Sequence, residues 1–170
     1  PLAGPALVVG VGVTVAMWIA WFLLHMPGVR TDPSVATPIL GGVLLLGLLL
    51  GVSRTGRGRP AWQIGLLAGL VCGALNLLLL GMQIVEQPES TEQMSDAANK
   101  LRPNAALVIA GFLFASTLAG AIAGAVGGSL RSRRPGTDAQ GWLGRFGIVS
   151  ALSMLPLLAV GGAVTGTEAG

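Results

Sequence analysis

The sequence offers few side chains that could do chemistry within its long apolar runs. His25 is the single histidine, in the stretch WFLLHMPG, and a neutral imidazole is a common ligand of haem and of metals. Trp18 and Trp21 precede it, a spacing equally typical of an aromatic belt at a membrane surface. His25 is therefore a candidate cofactor ligand or an interfacial anchor. Met26 points elsewhere on a helix and does not complete a His/Met pair.

Two further side chains lie in the middle of an apolar run. Cys72 is the only cysteine, which excludes disulfides and cysteine metal clusters within one chain and favours a packing role. Asn76 needs a partner because an unsatisfied amide in hydrocarbon is costly, and we expect it to hydrogen-bond to another helix.

The first four apolar runs contain no acidic or basic residue. This argues against an ion-coupled transporter or pump, because such proteins usually carry charged residues within their membrane helices. One histidine and few acids cannot supply a Ser/His/Asp group either. The sequence predicts no catalytic residue and no metal site in this segment, with Glu168 as the one weak catalytic candidate.

The composition predicts that these side chains sit in a membrane protein. The chain is 52% hydrophobic and 10% charged, against about 25% charged in an average soluble domain. Its charge-free windows each hold about 20 residues, enough to cross a bilayer as a helix. We therefore expect an all-α polytopic membrane protein with five transmembrane helices, at about 5–26, 36–53, 61–85, 105–130 and 146–165. Pro156 predicts a kink in the fifth.

Small residues at four-residue spacing predict how these helices associate. Such residues share one helix face and let two backbones approach closely, which supplies the contact that lipid otherwise replaces. We expect these faces to pack against neighbouring helices, and against each other in particular; a cofactor or dimer surface is the alternative. The residues are Gly65, Gly69 and Gly73 in the third helix and Ser116, Gly120, Gly124 and Gly128 in the fourth.

The charges predict an orientation. Seven of the ten Lys and Arg residues lie in the loops after the second and fourth helices, which alternation places on one side. The positive-inside rule makes that side cytoplasmic. The N-terminus is then cytoplasmic, and the acidic 86–104 connection, with a short helix predicted over 90–100, is outside. We expect a bacterial inner-membrane protein whose basic loops set topology and bind no nucleic acid.

The chain ends in GGAVTGTEAG, on the predicted outer side. This ending resembles the end of the first core helix in the haem A synthase (CtaA/Cox15) family, where a Gly-Gly pair, Val, Thr and a Gly-rich stretch lead into an outer loop with an Asp-Trp-Pro motif. Glu168 stands where the family more often has a small residue. The residues that match are Gly161, Gly162, Val164, Thr165, Thr167 and Gly170.

The resemblance implies a division of the chain and a function. Residues 1–135 would be a four-helix membrane extension, and 136–170 the start of a further membrane domain in a longer protein. That protein would be an oxidoreductase converting haem O to haem A for cytochrome oxidase, with haem b held by histidines outside this segment. The segment itself would be structural, contacting lipid, a second copy or a haem O synthase-type partner. A non-enzymatic scaffold or assembly subunit and a transporter fragment are the alternatives.

Overall fold

The described residues form five α-helices. The computed structural model describes residues 2–25, 31–55, 60–84, 104–131 and 139–168, and these contain no strand, which confirms the all-α class. By length and composition, three of the helices can cross a membrane: the first, second and fourth. In order, the helices are α1 (Ala3–Leu24), α2 (Pro33–Ser53), α3 (Ala61–Ile84), α4 (Ala105–Ser129) and α5 (Ala139–Glu168).

Two helices differ by more than two residues from their predicted bounds. Helix α2 begins at Pro33 rather than at about 36, because proline is suited to a first helical position and Asp32 caps the end, accepting from the Ser34 backbone N–H at 2.8 Å. Hydrogen bonding by Ser34 also holds the pKa of Asp32 below its usual value. Helix α5 runs from Ala139 to Glu168, beyond the predicted 146–165 at both ends.

Helix α5 begins earlier than predicted because the prediction used a charge-free window, and such a window measures only what lipid tolerates. Arg145 ends that window but does not end the helix. Gly161 to Glu168, expected to leave the membrane as the start of a loop, are helical instead. The backbone is also helical through position 156, although the Pro156 side chain is outside the described part. The predicted helix over 90–100 lies outside the described residues.

Helices α1 to α4 form a ring, and α5 lies outside it. Helix α3 packs against α4 and α1, while α2 packs against α1 and α4. Across the ring α2 touches α3, whereas the described parts of α1 and α4 do not meet. Helix α5 packs on α1 alone among the described residues. The largest interface is the one between α3 and α4.

Consecutive helices run antiparallel and alternate helices run parallel. The N-terminal ends of α1, α3 and α5 therefore share one end of the bundle with the C-terminal ends of α2 and α4. The contacts that fix these directions are Gly10–Ala68 with Trp18–Asn76, Val9–Gly51 with Val13–Gly47, Gly65–Gly124 with Gly73–Ser116, Leu49–Gly127 with Thr55–Arg131, and Gly4–Trp142 with Gly12–Val149.

Large apolar side chains face outward and small ones face inward. The described interior is built from Gly, Ala, Val, Thr, Ser, Cys and Asn, with few larger residues such as Leu48 and Ile64. A soluble protein rarely exposes so much contiguous apolar surface, whereas lipid solvates it. Examples on α4 are Leu107, Phe114, Leu118, Ile122 and Val126.

The seam between α3 and α4 is a contact of backbone on backbone. A Cβ atom at Gly65 would overlap the carbonyl oxygen of Gly120, and one at Gly69 would overlap that of Ser116. At Gly124, a Cβ would lie 2.7 Å from the Ala61 carbonyl oxygen and 3.0 Å from the Gly65 Cα. Because the obstructing atoms are backbone, no rotamer change can make room. Only residues without a Cβ fit at these positions.

Gly124→Leu is expected to destabilise the protein in detergent by about 1–3 kcal/mol or more, because the side chain must push α3 away. Gly111→Leu is the matched control: it lies on the same helix, with nothing within 4 Å of its would-be Cβ. Thermal denaturation of both variants and the parent measures the difference. Equal melting temperatures for the two variants would contradict the seam.

Candidate functional site

A polar cluster lies between α1 and α3. The Trp18 indole N–H donates to Asn76 Oδ1 at 3.0 Å, which confirms the prediction that Asn76 hydrogen-bonds to another helix. Asn76 is 4% exposed, so its amide has essentially no access to solvent. A hydrogen bond in such surroundings has little competition and holds the two helices in one register.

The amide nitrogen of Asn76 faces two sulfur atoms. Its Nδ2 donates to Met17 Sδ at 3.3 Å and to Cys72 Sγ at 3.2 Å. The Cys72 thiol in turn lies 3.8 Å from Met17 Sδ. One turn away, Thr14 donates to the Gly10 carbonyl oxygen at 2.9 Å. The polar atoms of the cluster thus hydrogen-bond to one another or to the backbone, and the cluster joins α1 to α3.

A second polar tie joins α2 to α4 at the other corner of the ring. Arg131, just after α4, is 5% exposed. Its guanidinium donates to Thr55 Oγ1 at 2.6 Å and to the Val52 carbonyl oxygen at 3.5 Å, and Thr55 donates to the same carbonyl at 2.7 Å. Burial lowers the pKa of Arg131, yet arginine stays charged at neutral pH. The cation therefore sits at the negative end of α2, where it stabilises the helix dipole.

Helix α5 meets α1 through a tryptophan. Trp142 is 5% exposed and lies over the first turn of α1, where a Cβ at Gly4 would be 3.3 Å from the Trp142 Cβ. The exposed Arg145 guanidinium lies 4.8 Å from the centroid of the Trp142 ring, within range of a cation–π interaction. The Trp142 indole N–H is buried and has no hydrogen-bond partner.

Charge is separated between the two ends of the bundle. Within the described residues all three arginines, Arg54, Arg131 and Arg145, lie at the end that holds the N-terminus of α1. Both described acids, Asp32 and Glu168, lie at the opposite end. We refer to these as the basic end and the acidic end.

The two candidate ligand and catalytic residues stay apart from the clusters. His25 caps the end of α1: its Nδ1 donates to the Trp21 carbonyl oxygen at 2.8 Å, and its ring stacks on the Trp21 ring at 4.4 Å between centroids. Glu168 is the last residue of α5, and its side chain is outside the described part. No three His, Cys, Asp or Glu side chains in the described ranges are grouped as a metal ion requires.

The glycine faces are brought together. Gly65, Gly69 and Gly73 of α3 face the stripe that begins at Ser116 on α4. Gly128 ends that stripe against Ala61, whose Cβ would be 2.6 Å from a Cβ at position 128. The faces line no cavity that the contacts reveal, and they form the α3–α4 seam instead.

The sequence does not predict the contacts of three residues that matter here. Trp18 was assigned to an interfacial belt because it lies near His25, and Arg131 to a loop because it is charged. Trp142 was not singled out. Asn76 lies in the middle of an apolar run and needs a hydrogen-bond partner on another helix. The indole N–H of Trp18, in a different apolar run, was the sequence signal that could have identified this partner.

Searches against protein families, curated proteins and solved structures find no match to this chain. The resemblance of its last ten residues to haem A synthases is therefore carried by those residues alone and remains a prediction.

Trp18→Phe is expected to destabilise the protein by about 1 kcal/mol, because it leaves Asn76 Oδ1 buried without a donor. Trp62→Phe, at an exposed indole on α3, is the control and should cost little. The effect should shrink when Trp18→Phe is made in an Asn76→Leu background, as a double-mutant cycle of thermal unfolding measures. An equal cost in both backgrounds would show that the hydrogen bond contributes nothing.

Proposed function

We propose that this chain is a structural membrane bundle, a scaffold or assembly segment whose five helices all cross the bilayer. The observation that carries the proposal is the organisation of the described interior. Apart from the Trp142 indole N–H, its buried polar side chains pair with one another or with backbone carbonyls, and its closest helix contact excludes side chains altogether. Such an interior holds helices in fixed positions, and its described polar side chains form separate ties between helices.

The basic end lies in the cytoplasm in this proposal, and the acidic end lies outside. Support comes from the alternating helix directions together with the positive-inside rule, since Arg54, Arg131 and Arg145 share one end. The bilayer is then the inner membrane of a bacterium, and the N-terminus is cytoplasmic. Lipid contacts the exposed leucine, isoleucine and phenylalanine side chains of α2, α4 and α5.

Cysteine labelling tests this topology. Native Cys72 is fully buried, so the parent should be silent toward a membrane-impermeant maleimide. In intact spheroplasts, Asp32→Cys and Thr167→Cys should be labelled, because both positions lie at the acidic end. Arg54→Cys and Arg145→Cys should be labelled only after lysis.

Each position decides a different part of the proposal. Labelling of Arg54→Cys in intact spheroplasts would reverse the orientation. Equal labelling of Arg145→Cys and Thr167→Cys from the same side would show that α5 does not cross. The parent protein, with and without lysis, controls for opening of the bundle at Cys72.

A second candidate places the same bundle in a haem A synthase-type oxidoreductase. One observation favours it: α5 packs on α1 alone among the described residues and leaves most of its apolar side chains exposed, as the first helix of a further membrane domain would. Haem b would be held by histidines outside this segment. A haem O synthase-type partner or a second copy would contact the assembled protein.

Haem absorbance of the purified full-length protein tests this candidate. The expected result is a haem spectrum that His25→Ala leaves unchanged, because the histidines proposed to hold the haem lie outside this segment. A full-length protein without haem would overturn the candidate and leave the scaffold. Loss of haem in His25→Ala alone would instead make His25 the ligand.

A further inference from the structure

Helix α2 contains a stretch that its neighbours do not bury. The buried residues Ala36 and Leu48 are separated by about three turns of helix in which no residue is buried. Nothing lies within 4 Å of a Cβ built at Gly41 or at Gly42. We call residues 37–47 the middle of α2, and this part of the helix is only loosely packed against the ring.

The middle of α2 is also weak as a helix. Pro38 lies inside the helix and has no backbone N–H to donate to the Ser34 carbonyl oxygen. Glycine is less favourable than alanine inside a helix, and at Gly41 and Gly42 no close contact requires a missing Cβ. Long helices bend at proline and at glycine, so bending of α2 costs least at residues 38–42.

Both ends of α2 are held more firmly than its middle. At the basic end, Val52 is fully buried and its carbonyl oxygen accepts from Arg131 at 3.5 Å. At the acidic end, Ala36 is buried. Just before the helix, the Thr31 N–H donates to the Leu24 carbonyl oxygen at 3.2 Å, which ties the start of α2 to the end of α1. The helix is thus fixed at its two ends and weakly supported between them.

The middle of α2 lies at the depth of the polar cluster that joins α1 to α3. Val13 packs on Gly47, and in the antiparallel register set by this contact Gly42 is level with Trp18. Helix α2 stands between α1 and α4, whose described parts do not meet. Among the described helices, α2 is therefore the one that closes this side of the ring.

We propose that α2 is a strap that bends outward at residues 38–42 while its ends stay in place, and so opens the ring beside the Trp18–Asn76 hydrogen bond. The half-buried Leu44 packs on the core from the middle of α2, and it enters lipid without a hydrophobic penalty. Cys72 Sγ, 3.2 Å from Asn76 Nδ2, is then reached from the side. This motion adds to the scaffold role and requires only that lipid or detergent surrounds α2.

Native Cys72 reports the opening, because it is the only cysteine and is fully buried in the closed ring. The measurement is its rate of labelling by membrane-permeant N-ethylmaleimide, followed by mass spectrometry of the intact chain in detergent. Gly42→Ala and Gly41→Ala should each slow the labelling about fivefold, the factor by which alanine exceeds glycine in helix propensity. Pro38→Ala should slow it as well, because alanine restores an N–H for the Ser34 carbonyl oxygen.

Gly111→Ala is the matched control on α4. A Cβ at Gly111 also has nothing within 4 Å, so this variant gains the same helix propensity in a helix that does not form the strap. Its Cys72 should be labelled at the rate of the parent. Melting temperatures of all variants separate local opening of α2 from global unfolding.

Hydrogen exchange of the unmodified chain tests the motion without any substitution. The amides of residues 39–44 of α2 should exchange faster than those of residues 16–21 of α1. The register of the two helices places these segments at the same depth, so detergent shields them equally. Equal exchange of the two segments would show that the middle of α2 is as rigid as its neighbour and would overturn the strap.

Two labelling results would also overturn the proposal. Slowing by Gly111→Ala as large as that by Gly42→Ala would show that global unfolding exposes the thiol. Labelling at the parent rate in Gly41→Ala, Gly42→Ala and Pro38→Ala would show that the reagent enters elsewhere.

Discussion

The approach of α3 to α4 is the constraint on which the rest of the bundle depends. In lipid, apolar side chains gain nothing by leaving the solvent, so two helices stay together through close contact and polar ties. At Gly65 and Gly120 the contact is backbone on backbone, and no larger residue fits. Helix α1 is placed by α3 and helix α2 by α4, with α1 and α2 closing the ring. A shift of the seam would therefore move every other interface.

The two polar ties lie on opposite sides of this seam. They fix the register between helices, which glycine contacts alone do not. Glycines allow close approach, but a smooth surface of small residues also allows sliding and rotation. The Trp18–Asn76 hydrogen bond fixes α1 on α3, and Arg131 fixes the end of α4 on the end of α2. Breaking either tie would leave a buried polar group without a partner, so the register is held by a penalty for slipping as well as by contact.

The sequence predicts the helices well because a bilayer imposes a simple rule, about 20 residues without charge. The sequence predicts less well where the helices end outside the charge-free windows and which side chains contact each other. Arg145 ends the charge-free window, yet α5 starts six residues earlier, in the stretch where Trp142 packs on α1. Tryptophan is typical of membrane interfaces and arginine of loops, so Trp18 and Arg131 were assigned to those places. Their actual contacts depend on which helix lies opposite each of them. The four-residue spacing predicts both glycine faces and their contact with each other, but not how closely the two backbones approach.

The three described arginines of the basic end differ in how they lie relative to the helix dipoles. Arg54 and Arg131 lie at the C-terminal ends of α2 and α4, where a cation stabilises the helix dipole. Arg145 is different, because it follows the N-terminus of its own helix and lies beside that of α1. Its guanidinium lies over the face of the Trp142 ring, so Arg145 is stabilised by an aromatic side chain, whereas the other two arginines are stabilised by helix dipoles.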